Sequence, residues 1–222
     1  MITWPQELLD AVVGKVPDNV TLQQCSLASK SLLVASQRGL FHSVSVKDKK
    51  SIRRATQQFT AFPHFRSYVK ELDVSTPESK SQLKELASLL PIFPDVARIK
   101  WSGEEWPKFL VTALMESLQK PSMQSLTLMI CEDMAPSLLS YAAASVRHLD
   151  LAIVSLDNHA EPVTAVAPSA QLKHLSHTLG GVMGGGRYDT IRPLLPHLSG
   201  LEVLESDISS APQFKLLVEA EA

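Results

Sequence analysis

At the front of the chain, apolar residues recur at helical spacing. In "WPQELLDAVVGKVP" (4–17), Trp4, Leu8, Leu9, Val12, Val13 and Val16 share one stripe, and Gln6, Glu7, Asp10 and Lys15 occupy the other face. Thr3-x-x-Gln6 and Thr21-x-x-Gln24 match the capping-box pattern, and Pro17-Asp18-Asn19 supplies the break between two helices. The stretch from Thr3 to Phe41 therefore reads as a helical unit of about 40 residues, too short to bury much surface alone. It needs a neighbour.

Further along, the pattern becomes a repeat. "VKELDV" (69–74), "VARIKW" (96–101), "MQSLTL" (123–128), "VRHLDL" (146–151), "LKHLSH" (172–177) and "LEVLES" (201–206) start 27, 27, 23, 26 and 29 residues apart. That is the period of leucine-rich repeats, and it is shorter than tetratricopeptide or ankyrin units. In the first four, Val74, Trp101, Leu128 and Leu151 complete the alternation of a half-buried strand. His177 and Ser206 occupy that position in the last two, so the pattern decays.

Between the strands, "SKSQLKELASLL" (79–90) and "WPKFLVTALMESL" (106–118) have helical spacing. "APSLLSYAAA" (135–144) is shorter, and Pro193 and Pro196 make "YDTIRPLLPHL" (188–198) an irregular helix. Strand and helix alternating at this period predict parallel strands joined by right-handed crossovers, an α/β open solenoid. Leu72, Ile99, Leu126, Leu149, Leu175 and Leu204 share one repeat position and are expected to form a buried row. A compact doubly wound α/β domain is the competing architecture; the regular period and the missing glycine-rich turn after the first strand argue against it.

Composition narrows the function. The 222 residues are 45% hydrophobic and 20% charged, with a formal net charge of -2. Such a balance gives no general drive toward nucleic acid or anionic membrane. No uncharged apolar run is long enough to span a bilayer, and no signal-peptide pattern opens the chain. The expectation is a soluble cytoplasmic or nuclear protein. Cys25 and Cys131 stand far apart in apolar-patterned segments, which predicts two buried thiols rather than a disulfide or metal site.

"WPQELLDAVVGKVPDNVTLQQCSLASKSL" resembles an F-box. Pro5, Glu7, Leu8, Leu9, Val12, Val13, Val16, Leu22, Cys25, Ser26 and Leu27 fall on matching positions, while Trp4, Ala28 and "KSL" (30–32) depart from the pattern. "GLFHSVSV" (39–46) is similar to the stretch by which fungal members of the family leave the F-box and enter the repeats. The resemblance implies an F-box-like helical domain at 1–42, a linker helix at 43–68 and a leucine-rich-repeat-like recognition region at 69–222. It further implies a substrate receptor of a Skp/cullin/F-box ubiquitin ligase, binding a Skp-type adaptor and cullin at one end and an unknown protein substrate at the other. Pro5, Glu7, Leu8, Leu9, Val12, Val13, Leu22, Cys25 and Leu27 would carry the adaptor. Such a receptor is not itself an enzyme and needs no cofactor. The alternative is a leucine-rich-repeat interaction scaffold without a ubiquitin role, its N-terminal helices capping the first repeat.

Other motifs have simpler readings. "GGVMGGGR" (180–187) lacks the residues of a phosphate loop or a dinucleotide turn and reads as a connection. His174 and His177 would lie on opposite faces of a strand, against a shared metal. "KDKKSIRR" (47–54) reads as a solvated helix face. Paired acids at 104–105 and 132–133 fit helix starts. No nucleophile–base motif is recognisable. Trp101, Trp106, His177 and Arg187 are candidate substrate contacts, since aromatic and arginine side chains dominate hot spots; Trp101 fits the core equally.

Overall fold

Strands form where valines and leucines alternate with polar residues, and helices where leucines recur every three or four positions. The computed structural model describes residues 4–77, 79–103, 106–156, 171–178 and 192–206. The chain divides into two units, Met1–Ser102 with Trp106–Gln124, and Gly103–Glu105 with Ser125–Ala222. Both are mixed α/β.

The first unit opens with α1 (Gln6–Val13), α2 (Asn19–Ala28) and α3 (Lys30–Leu40). Helix α2 begins earlier than the Thr21 capping box predicts: Asp18 is its N-cap, and its carboxylate accepts the Thr21 N–H at 2.8 Å. An aspartate three residues ahead provides the stronger acceptor, so the helix gains most of a turn. Then come β1 (Ser43–Val46), α4 (Lys49–Ala61), a 3-10 turn (Pro63–Tyr68), β2 (Glu71–Ser75), α5 (Lys80–Leu89), β3 (Arg98–Ser102) and α6 (Lys108–Leu118). The 43–68 stretch, expected as a linker helix, thus contains a strand as well, because "SVSV" alternates with period two and Val46 is buried.

Strands β1, β2 and β3 pair in parallel, with Val44 opposite Leu72 and Leu72 opposite Ile99. The next inward position carries Val46, Val74 and Trp101, all buried. Against these rows lie Ile52 and Phe59 of α4, Leu83 and Leu86 of α5, and Leu110 and Leu114 of α6, all but absent from solvent. Outward-facing positions are polar: Lys47 pairs with Asp73 at 2.9 Å, Arg98 with Glu71, and Ser75 with Ser102 at 2.9 Å.

In the second unit β4 (Ser125–Met134), α7 (Pro136–Ser145), β5 (His148–Leu156), β6 (His174–Thr178), a 3-10 helix (Arg192–Gly200) and β7 (Val203–Ser206) follow in order. Strands β4 to β7 pair in parallel in that order. Leu126, Leu149 and Leu175 are buried register partners. Leu204 continues the register but is 39% exposed, so the buried row does not extend to it. Beyond Leu128 the alternation of β4 breaks: Ile130 takes φ 51° and Ile153 of β5 takes φ 56°, and the register places them opposite each other. Left-handed backbone is unfavourable for a β-branched residue. Here it interrupts the alternation, leaving Cys131 inside and Ile130 and Ile153 outside.

One hydrogen-bond motif recurs at strand entries. The carbonyl of His42 accepts both Lys70 and Glu71 N–H groups, and Lys70 does the same for Ala97 and Arg98. In the second unit Arg147 serves Lys173 and His174, and Lys173 serves Glu202 and Val203. The repeat is therefore visible in the backbone as well as in the leucines.

Candidate functional site

The N-terminal helices have a small core of their own. Val13, Leu22 and Ala35 are buried together, with Val16, Leu32 and Leu40 packed around them. Helix α3 is the hub, with α1 and α2 each resting on it. Gly39 allows the close approach of α2, since a Cβ there would lie 3.0 Å from Leu22 Cδ1. Arg38 on α3 holds Asp10 of α1 at 2.7 Å, and Gln6 donates to the same carboxylate at 2.7 Å. Phe41, which ends α3, stacks on Phe65 at 4.2 Å and thereby seats the helices on the first strand–helix unit.

That packing uses one side of α1 and α2. On the other side Trp4, Val12 and Val20 are each 64% exposed, Leu8 49% and Leu27 87%. Four large apolar side chains on two short helices, and Trp4 just ahead of α1, face solvent although the helices already have a core. Covering such a residue yields about 1.5–3 kcal/mol each, so the face is suited to a protein partner.

The expected adaptor residues divide accordingly. Pro5, Glu7, Leu8, Val12 and Leu27 are exposed, and Leu9 and Cys25 are half-buried. Val13 and Leu22 are core residues, 3% and 4% exposed, and offer no side chain to a partner. The helical stripe is wider than one contact can use, and its inner edge forms the three-helix core. Trp4 and Val20 join the exposed face instead; the spacing of Val20 and Leu27 along α2 is the sequence signal for the latter.

The expected substrate contacts do not converge. Trp101 is wholly buried in the β3 row and stacks on half-buried Trp106 at 5.5 Å. Neither indole N–H has a partner among the described residues. His177 is 3% exposed and occupies the position of Leu128 and Leu151 in the neighbouring strands. It is core, because the inward position of a strand is filled whatever its residue type. Burial pushes its pKa down, and Nδ1 has no partner among the described residues. Arg187 lies outside the described residues.

His174 faces away from His177, 5.8 Å from its register partner His148 and 3.7 Å from Glu205. Among the described residues no three metal-ligating side chains cluster. Burial pushes the Cys131 thiol up to about 12, far from thiolate chemistry at neutral pH. Cys25, expected to be a buried thiol, is only partly covered. No described helix is long and apolar enough to cross a membrane. No protein-family model and no curated protein matches the chain.

Proposed function

We infer that the chain is the substrate-recognition subunit of a Skp/cullin/F-box type ubiquitin ligase, with the chemistry supplied by other subunits. The observation that carries this reading is the exposure of Leu8, Val12, Val20 and Leu27, with Trp4 ahead of them, on helices that already possess a core. Exposed anchors on a pre-packed helical unit are what an adaptor interface requires. The parallel strand–helix succession and the recurring strand-entry hydrogen bonds support the companion reading of a leucine-rich-repeat-like region with right-handed crossovers. Its polar strand face in the first unit, with Asp73, Ser75, Arg98 and Ser102, is the surface for a target protein.

The scaffold reading also has one observation in its favour. Phe41 and α3 pack on the Pro63–Tyr68 turn, as a capping unit would. The two readings part at α1 and α2, which capping leaves uncovered. Leu8→Asp combined with Leu27→Asp should remove a Skp-type adaptor and cullin from a pull-down while circular dichroism stays unchanged. Wild-type protein that recovers no adaptor at micromolar concentration would leave the scaffold reading standing.

A further inference from the structure

A cleft of about 410 Å³ lies between β1 and α4. Val44, Ala55 and Phe59 are among its apolar lining residues, and Ser43 and Ser45 among its polar ones. Lys50 and Arg54 also line it, both exposed. Its volume falls within the usual range for a binding cleft.

Two features identify the occupant. Strand β1 ends the parallel run, pairing with β2 alone among the described residues. With Ser43 opposite Glu71 and the His42 carbonyl accepting the Glu71 N–H, the even-numbered peptide groups of β1 point at β2. The N–H and C=O groups of Ser43 and Ser45 are then directed to the free edge, where an extended peptide can add as a strand. Charge is the second feature. Lys49, Lys50, Arg53 and Arg54 project from one helix, and none forms a salt bridge with a described residue. Asp48, the one acid lining the cleft among the described residues, accepts the Ser51 N–H at 2.7 Å and lies within electrostatic reach of Lys50, so the lining holds two cations against one carboxylate. A second copy of this edge would bring the same cations against themselves.

We propose that the β1 edge and the α4 cleft bind an extended acidic peptide segment by strand addition, with Lys50 and Arg54 pairing with its carboxylates. The site is separate from the α1–α2 face and does not depend on the adaptor reading.

The test is fluorescence anisotropy on the full chain with a labelled peptide alternating glutamate and valine. Three further arms use its lysine–valine counterpart, a backbone N-methylated version, and the variant Lys50→Glu with Arg54→Glu. The acidic peptide should bind, and each of the three changes should weaken binding at least tenfold. Equal binding of the lysine peptide or by the charge variant removes the electrostatic basis; equal binding of the N-methylated peptide removes strand addition. Either result overturns the proposal, as does no binding of the acidic peptide. Sedimentation showing a wild-type dimer that the charge variant abolishes would assign the edge to a second copy instead. The peptide arms use wild-type protein, so they decide the matter even if the charge variant misfolds.

Discussion

His177 shows how a strand position can outweigh the chemistry of its residue. It completes an inward row with Leu128 and Leu151, only 3% exposed, and its Nδ1 has no partner among the described residues. An unsatisfied buried nitrogen costs about 1–3 kcal/mol, so His177→Leu should stabilise the second unit by an amount in that range. Urea unfolding at neutral pH checks this. Burial lowers the folded-state pKa below 6.5, so as pH falls through 6.5 the unfolded chain takes up the proton first and stability declines, levelling below the folded value. His197, buried and beside Ser140 at 3.0 Å, shifts the same way for the same reason. The unfolding midpoint should therefore drop as pH is lowered through the ordinary histidine value of 6.5, and His177→Leu should remove part of that drop. A midpoint independent of pH in both proteins would contradict the burial argument.

Among the elements, the end of α5 is held by a side chain from beyond α6. Lys120 Nζ donates to the carbonyls of Leu90, Pro91 and Phe93 at 3.2, 3.4 and 2.7 Å, supplying the donors that a terminating helix lacks. Lys120→Ala should destabilise the first unit by about 1–3 kcal/mol in denaturant unfolding, while Lys120→Arg recovers much of it. Nothing in the local sequence announces this bond, because it joins residues about thirty positions apart. By contrast, β2 and β3 were legible from Leu72, Val74, Ile99 and Trp101, since alternation and burial have the same cause. The strand β1 was harder to see: its four residues are short, lie beside helices, and include only two apolar positions. The adaptor face was half legible. Spacing puts Leu8 and Val13 on the same stripe, but only packing against α3 decides that Val13 turns inward and Leu8 outward.

At the scale of the whole molecule, stability and partner binding should separate cleanly. Val13→Asp places a carboxylate in the core with Leu22 and Ala35, costing several kcal/mol, about the stability such a small unit has; it should lose the helical unit altogether. Leu8→Asp with Leu27→Asp alters only exposed positions, and its melting temperature should match the wild type within error. Scanning calorimetry of the two proteins distinguishes a face from a core. The paired kinks at Ile130 and Ile153 have a different kind of consequence, one that concerns inheritance. Each kink interrupts the alternation of its strand, and the interruptions coincide across β4 and β5. A one-residue insertion ahead of either kink would move it along its strand by about 3.3 Å and set the two interruptions out of step. Lineages descended from this chain should therefore gain or lose residues in the two strands together, and a change in one alone should be rare among them.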